Sequence, residues 1–256
     1  MKISVVINVD TRPQRDGIDS MFNGVCNLDF LIDGVKNKIK FLDGFEKEII
    51  LYVDQHLPIP YDKLLELRGI ADTLVIRNHT NEPSFNDWNY IRALQMASGD
   101  IVMHFDQDCA AFSSSKESVQ ELIDLLEKYD YVSYPSHWTP NAVVDPTFNY
   151  RWVSTRFFIC KRQTLNFTEI IKCLTDYDYF CNTYKPSRAC PWTEHFLGLI
   201  SNSNVFYPPI QLDKLAIFSW GHYKTGVLSE LNNMNYEQVK GWVGSRGIRY
   251  PNDLDA

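Results

Sequence analysis

The sequence is short of several things, and each shortage closes off a class of function. None of its six cysteines (Cys26, Cys109, Cys160, Cys173, Cys181 and Cys190) stands in a CxxC pair, so the usual spacing of a zinc site is missing. Their scatter through apolar segments suits reduced, buried thiols. Positive charge is outweighed: 25 Lys and Arg against 32 Asp and Glu leave a formal net charge of −7. That argues against a broad basic face for DNA or RNA and against a polybasic anchor for an anionic membrane. No apolar run reaches the length of a transmembrane segment. The opening Met1–Ile7 is too short for a signal peptide and runs straight into Asn8 and Asp10. A soluble, cytoplasmic chain is therefore expected, and the sequons Asn78-His79-Thr80 and Asn166-Phe167-Thr168 read as chance. Repeats, low-complexity tracts and a clear linker are also missing. A single domain over residues 1–256 is expected.

What is present is ordinary in bulk, with 45% hydrophobic and 22% charged residues in a chain of 256. That length buries most of its unfolded surface and so builds a sizeable core. Aromatics are plentiful at 15 Phe, 14 Tyr and 6 Trp. They supply core volume, and they also make the flat walls on which sugars and bases stack.

The first half alternates strand-like and helix-like segments. Ile3–Val9 is a continuous run rich in β-branched residues, as a strand buried on both faces requires. Between Phe30 and Leu42, Leu31, Val35, Ile39 and Leu42 recur at helical spacing. Glu48–Val53 reads as a second strand ending at Asp54, and Tyr61–Arg68 as a helix. Asp72–Ile76 reads as a third strand. Asn86–Ser98 reads as a helix stopped by Gly99. Ile101–Phe105 is a fourth strand and runs into Asp106-Gln107-Asp108. This order predicts an α/β fold with a mainly parallel sheet and helices on both faces. In such sheets ligands sit beyond the carboxyl ends of the strands. The polar residues there are Asn8, Asp10, Thr11 and Arg12, then Asp54, then Arg77 and Asn78, then Asp106 and Asp108. The second half is less regular. Ser114–Glu117 reads as a capping box opening a helix to about Tyr129. Tyr131–Tyr134 and Trp152–Cys160 read as strands, and Thr168–Phe180, Trp192–Ser201 and Ser229–Val243 as helices.

Two carboxylates one residue apart beyond a buried strand suggest a specific device. A nucleoside diphosphate carries close-set negative charge, and acidic residues repel it unless a divalent cation lies between. Mg²⁺ and Mn²⁺ accept hard oxygen ligands from carboxylate and phosphate alike and offset charge that develops on a departing diphosphate.

The stretch Ala97–Asp108 resembles the segment leading to the DxD motif of family-2-type glycosyltransferases of the GT-A fold. Ile3–Asn8 resembles their first strand, and Tyr52-Val53-Asp54 their second. The likeness covers roughly residues 1–112, a nucleotide-sugar-binding half, and leaves 113–256 as an acceptor half. It implies a nucleotide-diphosphate sugar donor, often a UDP-sugar, with Mn²⁺ or Mg²⁺, and a glycan or other hydroxyl acceptor. Asn8, Val9, Asp10 and Arg12 would lie along the nucleoside, and Asp54 would accept a hydrogen bond from a base N–H. Asp106 and the neighbouring Gln107 would sit near the ribose, Asp106 also near the metal, and Asp108 would be the direct metal ligand. Arg12 or Arg77 could approach the base or diphosphate, since guanidinium suits phosphate. The first loop, Asn8-Val9-Asp10-Thr11-Arg12-Pro13, departs from the family's Pro-Thr-Tyr-Asn. Family-2 enzymes are commonly inverting and need a carboxylate base. Pro191–Phe196 is the best match to their downstream motif, which puts Glu194 in that role; Asp145, Asp176 and Asp178 are its rivals. His222, in Trp220-Gly221-His222-Tyr223, matches a late metal-binding His by chain position, whereas His104 inside the fourth strand reads as structural.

Three other functions fit the same pattern less well. A sugar nucleotidyltransferase would need a Gly-rich loop to cradle triphosphate, and Asn8–Arg15 holds no glycine. A non-catalytic carbohydrate-binding protein could share the fold, but the Asp106/Asp108 pair speaks for a working metal site. A glycosidase with paired carboxylates is disfavoured by the parallel order.

Overall fold

Four parallel strands carry the candidate site, and the way the chain visits them decides where it lies. In the computed structural model, residues 1–10, 28–55, 58–78, 85–106, 109–133, 153–154, 156–185, 193–200, 204–206, 214–219 and 227–245 are described. In chain order they form β1 (Ile3–Asp10), α1 (Leu28–Phe41), β2 (Lys47–Gln55), α2 (Tyr61–Ile70), β3 (Thr73–Asn78), α3 (Phe85–Gln95) and β4 (Ile101–Asp106). Then come β5 (Cys109–Ser113), α4 (Lys116–Asp124), β6 (Tyr131–Ser133), β7 (Phe157–Lys161), α5 (Phe167–Thr175), α6 (Tyr177–Tyr184) and α7 (Thr193–Ile200). The remaining elements are β8 (Val205–Phe206), β9 (Leu215–Ser219), α8 (Val227–Asn232) and α9 (Tyr236–Ser245).

The main sheet has seven strands in the order β3-β2-β1-β4-β7-β6-β8. The β1–β2, β2–β3 and β1–β4 pairs are parallel, and β7 runs antiparallel to both β4 and β6. From β1 to β2 to β3 the chain steps in one direction, with α1 and α2 on one face. From β3 to β4 it returns past β1, and α3 covers the other face. The direction therefore reverses between β1 and β4, the crevice where open α/β sheets bind ligands.

β1 shows why its sequence is an unbroken apolar run. Ile3, Val5, Ile7 and Val9 pack under Leu31 and Val35 of α1 and Leu42 just beyond it. Val6 faces Ile91 and Leu94 of α3. Each such side chain removed from water contributes roughly 1.5–3 kcal/mol. Gly99 is dictated by proximity: a Cβ there would stand 2.6 Å from the Lys2 carbonyl oxygen. Among the described residues no helix is long and apolar enough to cross a membrane.

The expected mainly parallel sheet with helices on both faces is observed, and the differences are local. The helix expected from Thr168 to Phe180 is two helices, broken at Asp176, whose carboxylate caps α6 by accepting from Tyr179 N at 2.8 Å. The helix expected from Ser229 to Val243 is likewise two. Asn235 opens the second through a capping box with Gln238, both bonds at 2.9 Å. The cap of α4 is Ser115 rather than Ser114, with its hydroxyl accepting from Ser118 N. β7 begins at Phe157, later than the expected Trp152. The β5–β9 pair, an antiparallel second sheet, was not expected at all.

Candidate active site

The register of the four parallel strands lines up the polar residues at their carboxyl ends. Asn8 stands opposite Asp106 on one side and Tyr52 on the other. Asp10 pairs with Asp54, and Asp54 with Arg77. Strand alternation places these positions on the α3 side, because Val6, Tyr52 and Val75, two residues before Asn8, Asp54 and Arg77, and Val102, four before Asp106, pack there. Asn8 and Asp106 flank the crevice between β1 and β4. Asp54 is only 4% exposed.

Side chains from α3 and β4 hold this row. The Tyr90 hydroxyl donates to Asp106 Oδ1 at 2.5 Å, a short charge-assisted bond. Asn89, the preceding residue and buried, accepts from an Arg77 guanidinium N–H at 3.4 Å. His104 Nε2 lies 3.2 Å from Asn8 Oδ1. This is a hydrogen bond when Nε2 carries the proton, since an amide oxygen only accepts. The His104 ring is wholly buried. It stacks on Phe158 at 5.1 Å and 12° and meets Tyr90 at 5.2 Å and 48°. Asp106 N donates to Arg156 O at 3.0 Å, which ties the end of β4 to the segment entering β7.

The chain beyond the acidic triplet is anchored from the other face. Lys38 of α1 is fully buried, and its ammonium donates to the Cys109 carbonyl and lies 5.5 Å from the Phe105 ring centroid. The adjacent Asn37 accepts from Ala111 N at 2.8 Å. Lys38 occupies the inward stripe of α1 together with Leu31 and Val35, a stripe continued by Leu42 just beyond the helix, while Ile39 is only half-buried. A charged side chain on the apolar face of a helix was the signal available in the sequence.

Arg12, Gln107, Asp108 and His222 lie outside the described residues, as does Asp145, and the side chains of Asp10 and Glu194 are not described. Glu194 is the second residue of α7, and α7 packs through Leu197 against the same cluster as Ile91 and Leu94 of α3. Its helix thus lies on the same side of the sheet as the polar row. Asp176 is committed to capping α6, and Asp178 sits in the first turn of that helix. Among the described residues no three His, Cys, Asp or Glu side chains gather. Asp106 supplies a hard carboxylate at the strand mouth, the donor chemistry that Mg²⁺ and Mn²⁺ take. A cavity of about 400 Å³ lies elsewhere, between α1, β5 and the α8–α9 turn. There Asn37 and Lys40 are bonded to Asn232, which makes it a seam between elements.

No family model and no curated protein matches the sequence. Solved structures do resemble it. The glycosyltransferase GlyE of Streptococcus pneumoniae TIGR4 superposes with a TM-score of 0.50 at 11% identity, over 97% of this chain and 64% of its own. The fold is of the GT-A type. Also similar are the mannosyltransferase PcManGT of Pyrobaculum calidifontis, solved with GDP-Man and Mn²⁺ (13% identity, TM-score 0.48, 81% and 55% of the two chains), and the galactosyltransferase LgtC, solved with donor and acceptor sugar analogs (12%, 0.47, 81% and 73%). The chain spans about half of the mannosyltransferase and under two thirds of GlyE.

Proposed function

We propose that this chain is a glycosyltransferase that binds a nucleoside diphosphate sugar, a UDP-sugar being favoured, at the carboxyl edge of β1, β2, β3 and β4, and passes the sugar to an acceptor hydroxyl. The observation that carries this reading is the row itself. Asn8, Asp54, Arg77 and Asp106 share one edge and one face of a GT-A-type sheet, and Asn8 and Asp106 border its switch-point crevice.

Asn8, Asp10 and Arg12 line the nucleoside, Val9 through its backbone because its side chain packs under α1, with Asp54 accepting from a base N–H. Arg77 supplies a guanidinium toward the base or diphosphate. Asp106, with Gln107 beside it, accepts from the ribose. Asp106 and Asp108, joined by His222, would hold Mn²⁺ or Mg²⁺. When bound, that cation offsets the repulsion between carboxylates and diphosphate and the charge left on the leaving group. Glu194 takes the proton from the acceptor hydroxyl. The hydroxyl oxygen bonds to the anomeric carbon from the face opposite the diphosphate, the carbon–diphosphate bond breaks, and configuration inverts.

A panel of nucleotide sugars scored by thermal stabilisation, with and without Mn²⁺, tests this, since a ligand that binds only the folded form raises apparent stability. UDP-sugars should shift the melting temperature most, and only with Mn²⁺. Asp108→Asn should remove the Mn²⁺-dependent part. An undiminished shift in that variant contradicts the site. Release of pyrophosphate in place of a nucleoside diphosphate would mark a nucleotidyltransferase. Binding with no release of nucleotide in the presence of any acceptor would mark a carbohydrate-binding protein.

A further inference from the structure

Helix α3 reaches both ends of the polar row with two consecutive residues. Asn89 accepts from Arg77 on β3, and Tyr90 donates to Asp106 on β4, with β2 and β1 between them. Tyr90 does a second thing: its ring meets that of His104 at a tilt, and the same imidazole stacks on Phe158. A buried imidazole held between two rings is restrained, and its Nε2 lies on the Asn8 amide oxygen.

We propose that Tyr90 is a positioning residue for the donor, setting the Asp106 carboxylate directly and the Asn8 amide through His104. This rests on the reading above, in which Asn8 and Asp106 meet the nucleoside. A carboxylate in water turns freely about its last bond and offers either oxygen. A phenol hydroxyl held on Oδ1 removes that freedom and fixes the carboxylate plane before any ligand arrives. The Asn8 amide has the same two-fold ambiguity. With its oxygen on His104, the amide is turned so that its N–H groups are what a ligand meets. Asn8 and Asp106 are register partners on adjacent strands, about 5 Å apart. The crevice therefore presents a donor beside an acceptor, both set in advance. A vicinal diol, whose hydroxyls both donate and accept, is complementary to that pair, and the ribose of a nucleoside diphosphate carries one. Pre-setting both groups reduces the ordering that binding must otherwise impose.

Tyr90→Phe keeps the ring and deletes only the hydroxyl. The test is calorimetric titration with UDP and its 2′-deoxy and 3′-deoxy forms in Mn²⁺, with GDP and its deoxy forms alongside. Wild type should favour the ribose form over at least one deoxy form by about tenfold, the scale of one hydrogen bond to a charged group. Tyr90→Phe should still need Mn²⁺ and melt within a few degrees of wild type, but its preference should collapse toward unity as the ribonucleotide weakens. His104→Phe gives an independent arm, with the ring stack kept and the Asn8 bond lost. It should weaken the ribonucleotide several-fold with Mn²⁺ dependence intact. Ribose preference unchanged in both variants overturns the role of Tyr90 while leaving the donor site standing. A wild type that binds no nucleoside diphosphate in Mn²⁺ overturns the donor reading itself, and this inference falls with it.

Discussion

The two ends of the same parallel strands treat their carboxylates in opposite ways. At the amino end, Glu48 of β2 accepts four hydrogen bonds, from Lys2 Nζ, Ser4 Oγ, Ser98 N and Ser98 Oγ. Burial alone would raise its pKa. The bonds from Lys2, Ser4 and Ser98 outweigh burial and hold it at about 2 against an ordinary 4.5. That carboxylate joins β1, β2 and the turn before β4, and its acceptor capacity is filled within the protein. At the carboxyl edge, Asp106 is gripped on one oxygen by a tyrosine that also sets its neighbour's partner. The first arrangement stabilises the fold, and the second prepares a surface. Placing an acid at the carboxyl edge of these strands, four register positions beyond the level of Glu48, changes its work because that edge opens on the switch-point crevice.

This contrast can be broken from either side. Glu48→Ala should cost about 3 kcal/mol of stability, the scale set by a carboxyl held at about 2 rather than 4.5, and leave nucleotide binding unchanged; chemical denaturation and titration together check it. The sign in pH follows from the depressed pKa. The contribution is full above pH 4.5 and is lost as pH falls toward about 2, so acid unfolding of wild type should be steeper over that window than that of Glu48→Gln. Gly99→Ala, which forces a Cβ against the Lys2 carbonyl beside the same network, should cost roughly 2 kcal/mol as overpacking does, again without touching binding. At the other end, Asp106→Asn should reverse the pattern. Nucleoside diphosphate binding in Mn²⁺ should weaken by at least tenfold, about 1.4 kcal/mol, with little change in melting temperature. The smallest effect is expected far from both ends. Asn235→Ala should lose the α9 cap for about 1 kcal/mol, read by denaturation alone.

The parts legible in the sequence are those governed by local periodicity. The β-branched run of β1 and the alternation of strand and helix through β4 gave the parallel half and, with it, the edge on which Asn8, Asp54, Arg77 and Asp106 fall. The β5–β9 pair escaped notice because Cys109–Ser113 follows directly on the acidic triplet and its partner, Leu215–Ser219, lies a hundred residues away. No local pattern announces so distant a pairing. The break at Asp176 was hidden because an acid inside an amphipathic stretch looks the same whether it faces solvent or caps a new helix. Tyr90 and Lys38 went unassigned, and His104 was read only as structural, for a related reason. Their roles arise from what α3, β4 and α1 bring together in space: a tyrosine hydroxyl on Asp106, an imidazole on Asn8, and an ammonium on the carbonyl beyond the triplet.

The central claim is electrostatic: a carboxylate pair at the mouth of β4 admits a diphosphate only with a divalent cation between them. Electron paramagnetic resonance of Mn²⁺ tests it most directly, because free Mn²⁺ gives a signal that binding suppresses. Titrating the protein with Mn²⁺ should leave most of that signal when no nucleotide is present. Adding UDP should deplete it well beyond what UDP alone removes, and Asp108→Asn should restore it. Depletion that is indifferent to the protein, or to that substitution, would contradict the account.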